Sequence, residues 1–190
     1  LIIEAGTPFI KREGIAGIRM IRRMWRGFLV ADLKITDGAA DEVSFAAGAG
    51  ANAVTVMGST TTKTIDLTIE ACARHRIYSI VDMLGVIDPL KRMMPLKHPP
   101  DVVVIHKGRD EENVARAIIR YKDIMKIKSK FSTFIAVAGG LELQGIRTAY
   151  FNGANIAIVN IISRYDDNKG IIDTSNFRVV IPAILREVGA

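Results

Sequence analysis

The sequence predicts an α/β chain of the (β/α)8 TIM-barrel class, lacking the first of the eight βα units. Three observations carry that expectation. Short β-branched runs alternate with helical patterns along the chain, the mark of βαβ units joined by right-handed crossovers. The runs are continuously apolar rather than alternating, as strands buried on both faces must be. Charged residues recur where several runs end, at Glu4, Asp32, Lys34, Asp82 and His106. A barrel builds its site from the C-terminal ends of many different strands.

The elements follow in order. "LIIEAG" (Leu1–Gly6) is the first strand, and "IAGIRMIRRMWR" follows with Ile15, Ile18, Ile21 or Arg22, and Trp25 at helical spacing. "GFLVADLK" (Gly27–Lys34) and "AVTVMG" (Ala53–Gly58) are the next two strands. "TKTIDLTIEACARHR" then sets Ile65, Ile69 and Cys72 on one helical stripe, ahead of the strand "IYSIVDML" (Ile77–Leu84). "PLKHPP" (Pro95–Pro100) is a stiff connector into "DVVVIHKG" (Asp101–Gly108). Asp110 is a natural N-cap for the helix pattern "EENVARAIIRYKDIMKI". "TFIAVAGG" (Thr133–Gly140) and "NIAIVN" (Asn155–Asn160) complete seven strands, and "YDDNKGIIDTSNF" reads as an insertion before a final helix. Seven is one fewer than closure needs, and barrels of this class usually run to about 250 residues. An open wall leaves two unpaired edges, costly unless another segment covers them.

Composition narrows the classes. A chain of 190 residues with 49% hydrophobic content suits one domain, residues 1–190, with a sizeable core. The longest apolar runs are strand-length, so no membrane association is expected. The single cysteine, Cys72, excludes an internal disulfide framework, and with no secretory segment visible the expected location is cytoplasmic. The net charge of +6 suits an anionic partner such as a phosphorylated metabolite, or simply a soluble surface. "IRMIRRMWR" with Lys11 and Arg12 carries the charge of a nucleic-acid face, but its apolar positions already follow one stripe. It is read as an outer barrel helix, with no nucleic-acid partner. Met93 and Met94 are read as core or interface filler, and His98 as exposed. No glycine-rich dinucleotide fingerprint, phosphate-binding Walker loop, nucleophile elbow or Cys/His metal spacing is present.

The chemistry concentrates in "ADLKITD" (Ala31–Asp37). Asp32 and Lys34 are two apart, so on a strand they share a face while Ala31 and Leu33 point the other way. Asp37 follows beyond the expected strand end. A lysine held among carboxylates stays protonated and can stabilise a developing enolate; a structural ion pair is the other reading of an isolated DxK.

Taken together, "IEAGTPFIKREG", "VADLKITD", "VIHKGRDEE" and "IAVAGG" resemble the orotidine-monophosphate-decarboxylase superfamily. The resemblance is to its branch of 3-hexulose-6-phosphate synthases and 3-keto-L-gulonate-6-phosphate decarboxylases. It runs in the right order over nearly the whole chain, and DxKxxD with EAGT is a specific combination. It implies a barrel that works as a homodimer, with Asp32 and Lys34 serving one active site and Asp37 the partner's. Glu4 stands where true orotidine-monophosphate decarboxylases carry Lys. The sugar-phosphate branch has Glu there, so the resemblance implies Mg²⁺ held by Glu4 and Asp32, a hard-oxygen site with open positions.

The implied reaction is Mg²⁺-assisted aldol addition of formaldehyde to ribulose 5-phosphate through an enediolate, or the reverse cleavage. Lys34 supplies charge to the enediolate, and His106 is the proton shuttle. Asp82 contacts substrate or orders Lys34. Gly139 and Gly140 offer amides to the phosphate. Arg109, beside Asp110, matches the decarboxylases, in which it protonates or positions the intermediate. The HxGxD spacing from His106 through Asp110 looks like the synthases. The sequence departs from the family where "IAIVNIISRYDDNKG" runs past Val159 without a glycine, and Arg164 is the candidate substitute for the lost phosphate contacts. The family's first strand, with a substrate-binding Asp, has no counterpart. The alternatives are a keto-sugar-phosphate decarboxylase, or a non-catalytic barrel acting as a binding partner.

Overall fold

The structure, a computed structural model, describes residues 1–111, 118–162, 169–172 and 177–187. Seven strands make one parallel sheet: β1 (Ile2–Ala5), β2 (Phe28–Ile35), β3 (Ala53–Met57), β4 (Tyr78–Asp82), β5 (Val102–His106), β6 (Phe134–Ala138) and β7 (Ile156–Ala157). They lie side by side in chain order, β1 through β7. That order decides between the two α/β architectures. A doubly wound sheet reverses its order at a switch point, whereas a barrel wall advances in one direction. Among the described residues nothing pairs β1 with β7, so the wall is an open, curled one. Edge strand β1 leaves Ile2 and Ile3 exposed.

Advancing in one direction with right-handed crossovers puts the helices on one face of the sheet. These are α1 (Thr7–Met24), α2 (Ala39–Gly48), α3 (Thr62–His75), α4 (Pro89–Met93), α5 (Lys122–Lys128) and α6 (Leu143–Phe151). The period-2 alternation of each strand then divides the core. Leu29, Ala31, Val54, Val56, Val81, Val103, Ile105, Ile135 and Val137 face the helices and meet Ile18, Val43, Ile65, Ile124 and Ile127. Val30, Ala53, Ile80, Val102, Val104, Ala136 and Ala138 form a second cluster on the concave face. The charged positions noted in the sequence belong to that inner parity.

Several elements differ from the sequence reading. Helix α1 starts at Thr7, with Pro8 in its first turn, and Gly14 breaks it (φ 60°, ψ −155°), a backbone state open to glycine and strained for other residues. Ile18 is fully buried, and Ile15, Ile21 and Trp25 pack against the core as their spacing implied. Asp110 lies inside a 3-10 turn, Arg109–Glu111, and the residues whose amides it would cap lie outside the described residues. Residues 112–117 of the expected long helix lie outside the described residues, Ile118–Arg120 are irregular, and the helix described is α5. Only Ile156–Ala157 of the Asn155–Asn160 run pairs as a strand. Beyond it, β8 (Ile161–Ile162) and β9 (Ile171–Ile172) make a small parallel sheet ahead of α7 (Phe177–Glu187). Met93 is core, whereas Met94 is exposed and His98 is exposed as read.

Cys72 is buried on α3, and burial followed by the charge of Asp101 pushes its thiol up to about 12. The nucleophilic thiolate is therefore almost absent at neutral pH. Iodoacetamide applied to the native chain near pH 8 should leave Cys72 unmodified while the urea-unfolded chain is fully alkylated, as read by intact mass. Comparable native labelling would show that α3 is not packed as described.

Candidate active site

The site begins with an irregularity in β2. Val30 pairs with Ala53 and Ala31 with Val54, but the next partners are Ile35 and Val56. Asp32, Leu33 and Lys34 therefore stand opposite one residue, Thr55. Two extra residues in a bulge preserve the outward parity of Ala31 and Ile35. They also present Asp32 and Lys34 on the concave face on either side of Thr55. Lys34 absorbs the distortion with φ 50°, a left-handed state that costs a non-glycine residue about 1–2 kcal/mol.

From this bulge a continuous polar chain crosses the ends of four strands. Lys34 Nζ lies 3.0 Å from Asp32 Oδ1 and 2.8 Å from Asp82 Oδ2. Both Asp82 oxygens lie 2.9 Å from His106 Nδ1, and the Leu84 amide donates to Oδ1 at 2.9 Å. Thr55 Oγ1 donates to Asp32 Oδ1 (2.8 Å) and accepts from the Lys34 amide (2.9 Å). On the far side of Asp32, Thr7 Oγ1 sits 2.6 Å from Oδ2 and 2.8 Å from the Asp32 main-chain oxygen, with the Thr7 amide at 3.3 Å from Oδ2. One hydroxyl proton serves only one of those two acceptors at a time.

The electrostatics follow from this geometry. Burial by itself would raise the Asp82 carboxyl, but the hydrogen bond and charge of His106, then Lys34, outweigh it and hold Asp82 below the usual carboxylate range. An ionised Asp82 requires the His106 proton on Nδ1. With the ring in its neutral form, that tautomer leaves Nε2 as the acceptor. Burial would likewise lower Lys34, yet Asp82 and Asp32 raise it above the ordinary lysine value, so it is a fixed cation. Glu4 differs. Desolvation and then the charge of Asp32 raise it to about 7, even though the residue keeps an exposed surface, and no described side chain or amide donates to its carboxyl.

A hard divalent cation fits the pair Glu4 and Asp32. Their mutual repulsion is what such an ion would relieve, and both offer oxygen. Asp32 Oδ2 can serve while the Thr7 proton turns to the main-chain oxygen. Among the described residues no group of three or more His, Cys, Asp or Glu is placed to hold a metal. The pair would thus have to be completed by water and substrate oxygens, the pattern Mg²⁺ favours.

Not every expected residue joins this cluster. Asp37 is exposed in the turn before α2, where burial and then the charge of Asp37 raise the Glu42 carboxyl. Arg109 is exposed on the 3-10 turn, with no hydrogen bond or ion pair from its side chain among the described residues. Gly139 and Gly140 follow β6 at the same end of the sheet, with φ 121° and 63°. A Cβ on Gly139 would lie 2.6 Å from the Lys107 carbonyl oxygen, so close approach of the β5 loop already demands glycine there. Arg164 lies outside the described residues. Thr7 and Thr55 were not among the residues read from the sequence. The available signal for Thr55 was a lone hydroxyl inside a strand covered on both faces, which must find partners.

Comparison with known proteins gives the family. Residues 1–164 match the family model described as "Orotidine 5'-phosphate decarboxylase / HUMPS family". A protein named "Bifunctional enzyme Fae/Hps" from Methanothrix thermoacetophila is 41% identical over 160 residues, which is 84% of this chain and 40% of that protein. One of the same name from Methanosphaera stadtmanae is 38% identical over 98% of this chain and 46% of its own length. The chain thus spans less than half of these curated relatives. A crystal structure of 3-hexulose-6-phosphate synthase from Salmonella typhimurium superposes with a TM-score of 0.81 at 30% identity, over 98% of this chain and 87% of that one. A 3-keto-L-gulonate-6-phosphate decarboxylase from Vibrio cholerae shares the fold at 23% identity (TM-score 0.68, over 83% of this chain and 74% of that one). On the match over residues 1–164, this chain belongs to the orotidine 5'-phosphate decarboxylase / HUMPS family.

Proposed function

We propose that the chain is a 3-hexulose-6-phosphate synthase-type aldehyde-lyase, joining formaldehyde to ribulose 5-phosphate or running the reverse cleavage. The observation that carries the reading is the chain His106–Asp82–Lys34–Asp32, a proton acceptor and a fixed cation set at one mouth of the barrel wall. His106 Nε2 takes the proton from the ketose carbon beside the carbonyl. The Lys34 ammonium stabilises the resulting enediolate. The carbanion carbon bonds to the formaldehyde carbon, and His106 returns its proton to the new alkoxide. Asp82 keeps both oxygens engaged with Lys34 and His106, so its role is to order them. Glu4 and Asp32 would hold Mg²⁺, which when bound supplies Lewis-acid charge to the substrate's hydroxyl and carbonyl oxygens.

Two observations favour this over a decarboxylase. The Fae/Hps relatives and the Salmonella synthase are 30–41% identical to the chain, and the Vibrio decarboxylase is 23% identical. Arg109, the residue through which the decarboxylase reading would work, stays outside the cluster. The same reading makes the protein a cytoplasmic homodimer in which exposed Asp37 serves the partner's site. No described helix is long and apolar enough to cross a membrane.

The test is formaldehyde-dependent consumption of ribulose 5-phosphate with and without Mg²⁺. Metal-dependent turnover is expected, with Asp32→Asn inactive and His106→Gln slowed by roughly 10²–10⁴-fold. Turnover that ignores formaldehyde, or survives Asp32→Asn, would overturn the assignment. A second expectation follows from Glu4. A carboxyl raised to about 7 is half protonated near neutrality, and only its ionised form binds a cation. Mg²⁺ affinity, measured by calorimetry, should therefore rise from about pH 6 to pH 8 and then level off. Glu4→Gln should bind weakly and lose that rise. An affinity independent of pH across this window would remove Glu4 from the metal site.

A further inference from the structure

We infer that Thr55 is a positioning residue, whose hydroxyl locks the β2 bulge so that Lys34 and Asp32 are held in one fixed geometry. Nothing in the sequence motif involves it, because it lies on the neighbouring strand. The bulge removes Lys34 from the regular ladder: three residues of β2 face one of β3, and the Lys34 amide finds no strand carbonyl there. The Thr55 hydroxyl takes the place of that carbonyl, accepting the Lys34 N–H at 2.9 Å. The same oxygen donates its own proton to Asp32 Oδ1 at 2.8 Å. Oδ1 also receives the Lys34 ammonium at 3.0 Å, so the three groups close a small ring through both main chain and side chains.

Only a hydroxyl can both accept and donate at this position. Valine has the same shape and can do neither, whereas serine can do both. Thr55 is buried and valine fills the same space, so in Thr55→Val no water takes the place of either bond. Without the hydroxyl, the left-handed φ of Lys34 loses the bond that holds it, and Asp32 loses one of its fixed donors. The consequence falls on placement of the ammonium rather than on substrate grip, because Thr55 has no other partner among the described residues.

The experiment compares the full chain with Thr55→Val, Thr55→Ala and Thr55→Ser by two readouts. The first is the acetylation rate of Lys34 by acetic anhydride, mapped by peptide mass spectrometry. The second is kcat and KM for ribulose 5-phosphate with formaldehyde. The hydroxyl-free variants should acetylate Lys34 several-fold faster and lose on the order of 10–100-fold in kcat, with KM within about threefold, as misplacement of a reacting group predicts. Thr55→Ser should restore both. Melting temperatures identify a variant that fails to fold, and Thr55→Ala then stands in for Thr55→Val. Unchanged Lys34 acetylation in a folded hydroxyl-free variant, unchanged kcat, or failure of serine to restore either readout would overturn the inference. The kinetic readout rests on the proposed function, but the acetylation readout does not. An inactive wild type would therefore sink the proposed reaction while Lys34 labelling still decided the role of Thr55.

Discussion

The arrangement of this site depends on one ammonium group held between two carboxylates from different strands. Lys34 Nζ touches Asp32 on its own strand and Asp82 two strands away, and Asp82 is almost fully buried. Breaking such a pair by removing one partner typically costs about 3–5 kcal/mol, because the other charge is left without compensation. The pair therefore constrains β2, β3 and β4 to one relative placement at their C-terminal ends. His106 and Glu4 inherit their electrical environment from it. One is hydrogen-bonded by the ionised Asp82, and the other is pushed up by burial and Asp32.

Holding the lysine there requires a distorted strand, and the distortion is sustained by local chemistry. A left-handed backbone at Lys34 is unfavourable by about 1–2 kcal/mol. A hydrogen bond to a charged group contributes about 1.5–3 kcal/mol. The two lysine–carboxylate contacts, with the Thr55 bonds to the Lys34 amide and to Asp32, are thus sufficient to offset the strain. A regular β2 could not place Asp32 and Lys34 on either side of one β3 residue, since regular pairing matches residues one to one.

The two ends of the sheet are built for different purposes. At the N-terminal end, Arg22 binds the carbonyls of Gly50, Trp25 and Gly27 and the side chain of Asn52, and Asn52 in turn accepts from the Leu29 amide. These bonds tie a helix end to two loops. At the other end the polar atoms are acids, a lysine and a histidine, and the loop after β3 is held by Arg92 through Gly58, Thr60 and Thr62. Stability at one end and chemistry at the other is the usual division of a barrel wall.

The sequence by itself determined the layering of this protein and the residues that could react. Continuous apolar runs place the strands, Glu4, Asp32, Asp82 and His106 mark where they end, and the period-two alternation puts Asp32 and Lys34 on one face. That parity is local and needs no partner. Only the tertiary structure decided the β2 bulge, the entry of Thr7 and Thr55 into the cluster, and the standing apart of Arg109 and Asp37. Lys34 meets a carboxylate 48 residues away and Asp32 meets hydroxyls 23 and 25 residues away. Such contacts arise from strand register and crossover placement, which no local pattern encodes. Of the helix expected after Asp110, the described part is Lys122–Lys128, and Asp110 itself sits in the turn Arg109–Glu111. Gly139 shows the limit of local pattern from the other side: the glycine was visible in the sequence, while the approach of Lys107 that demands it emerges only when β5 and β6 pair.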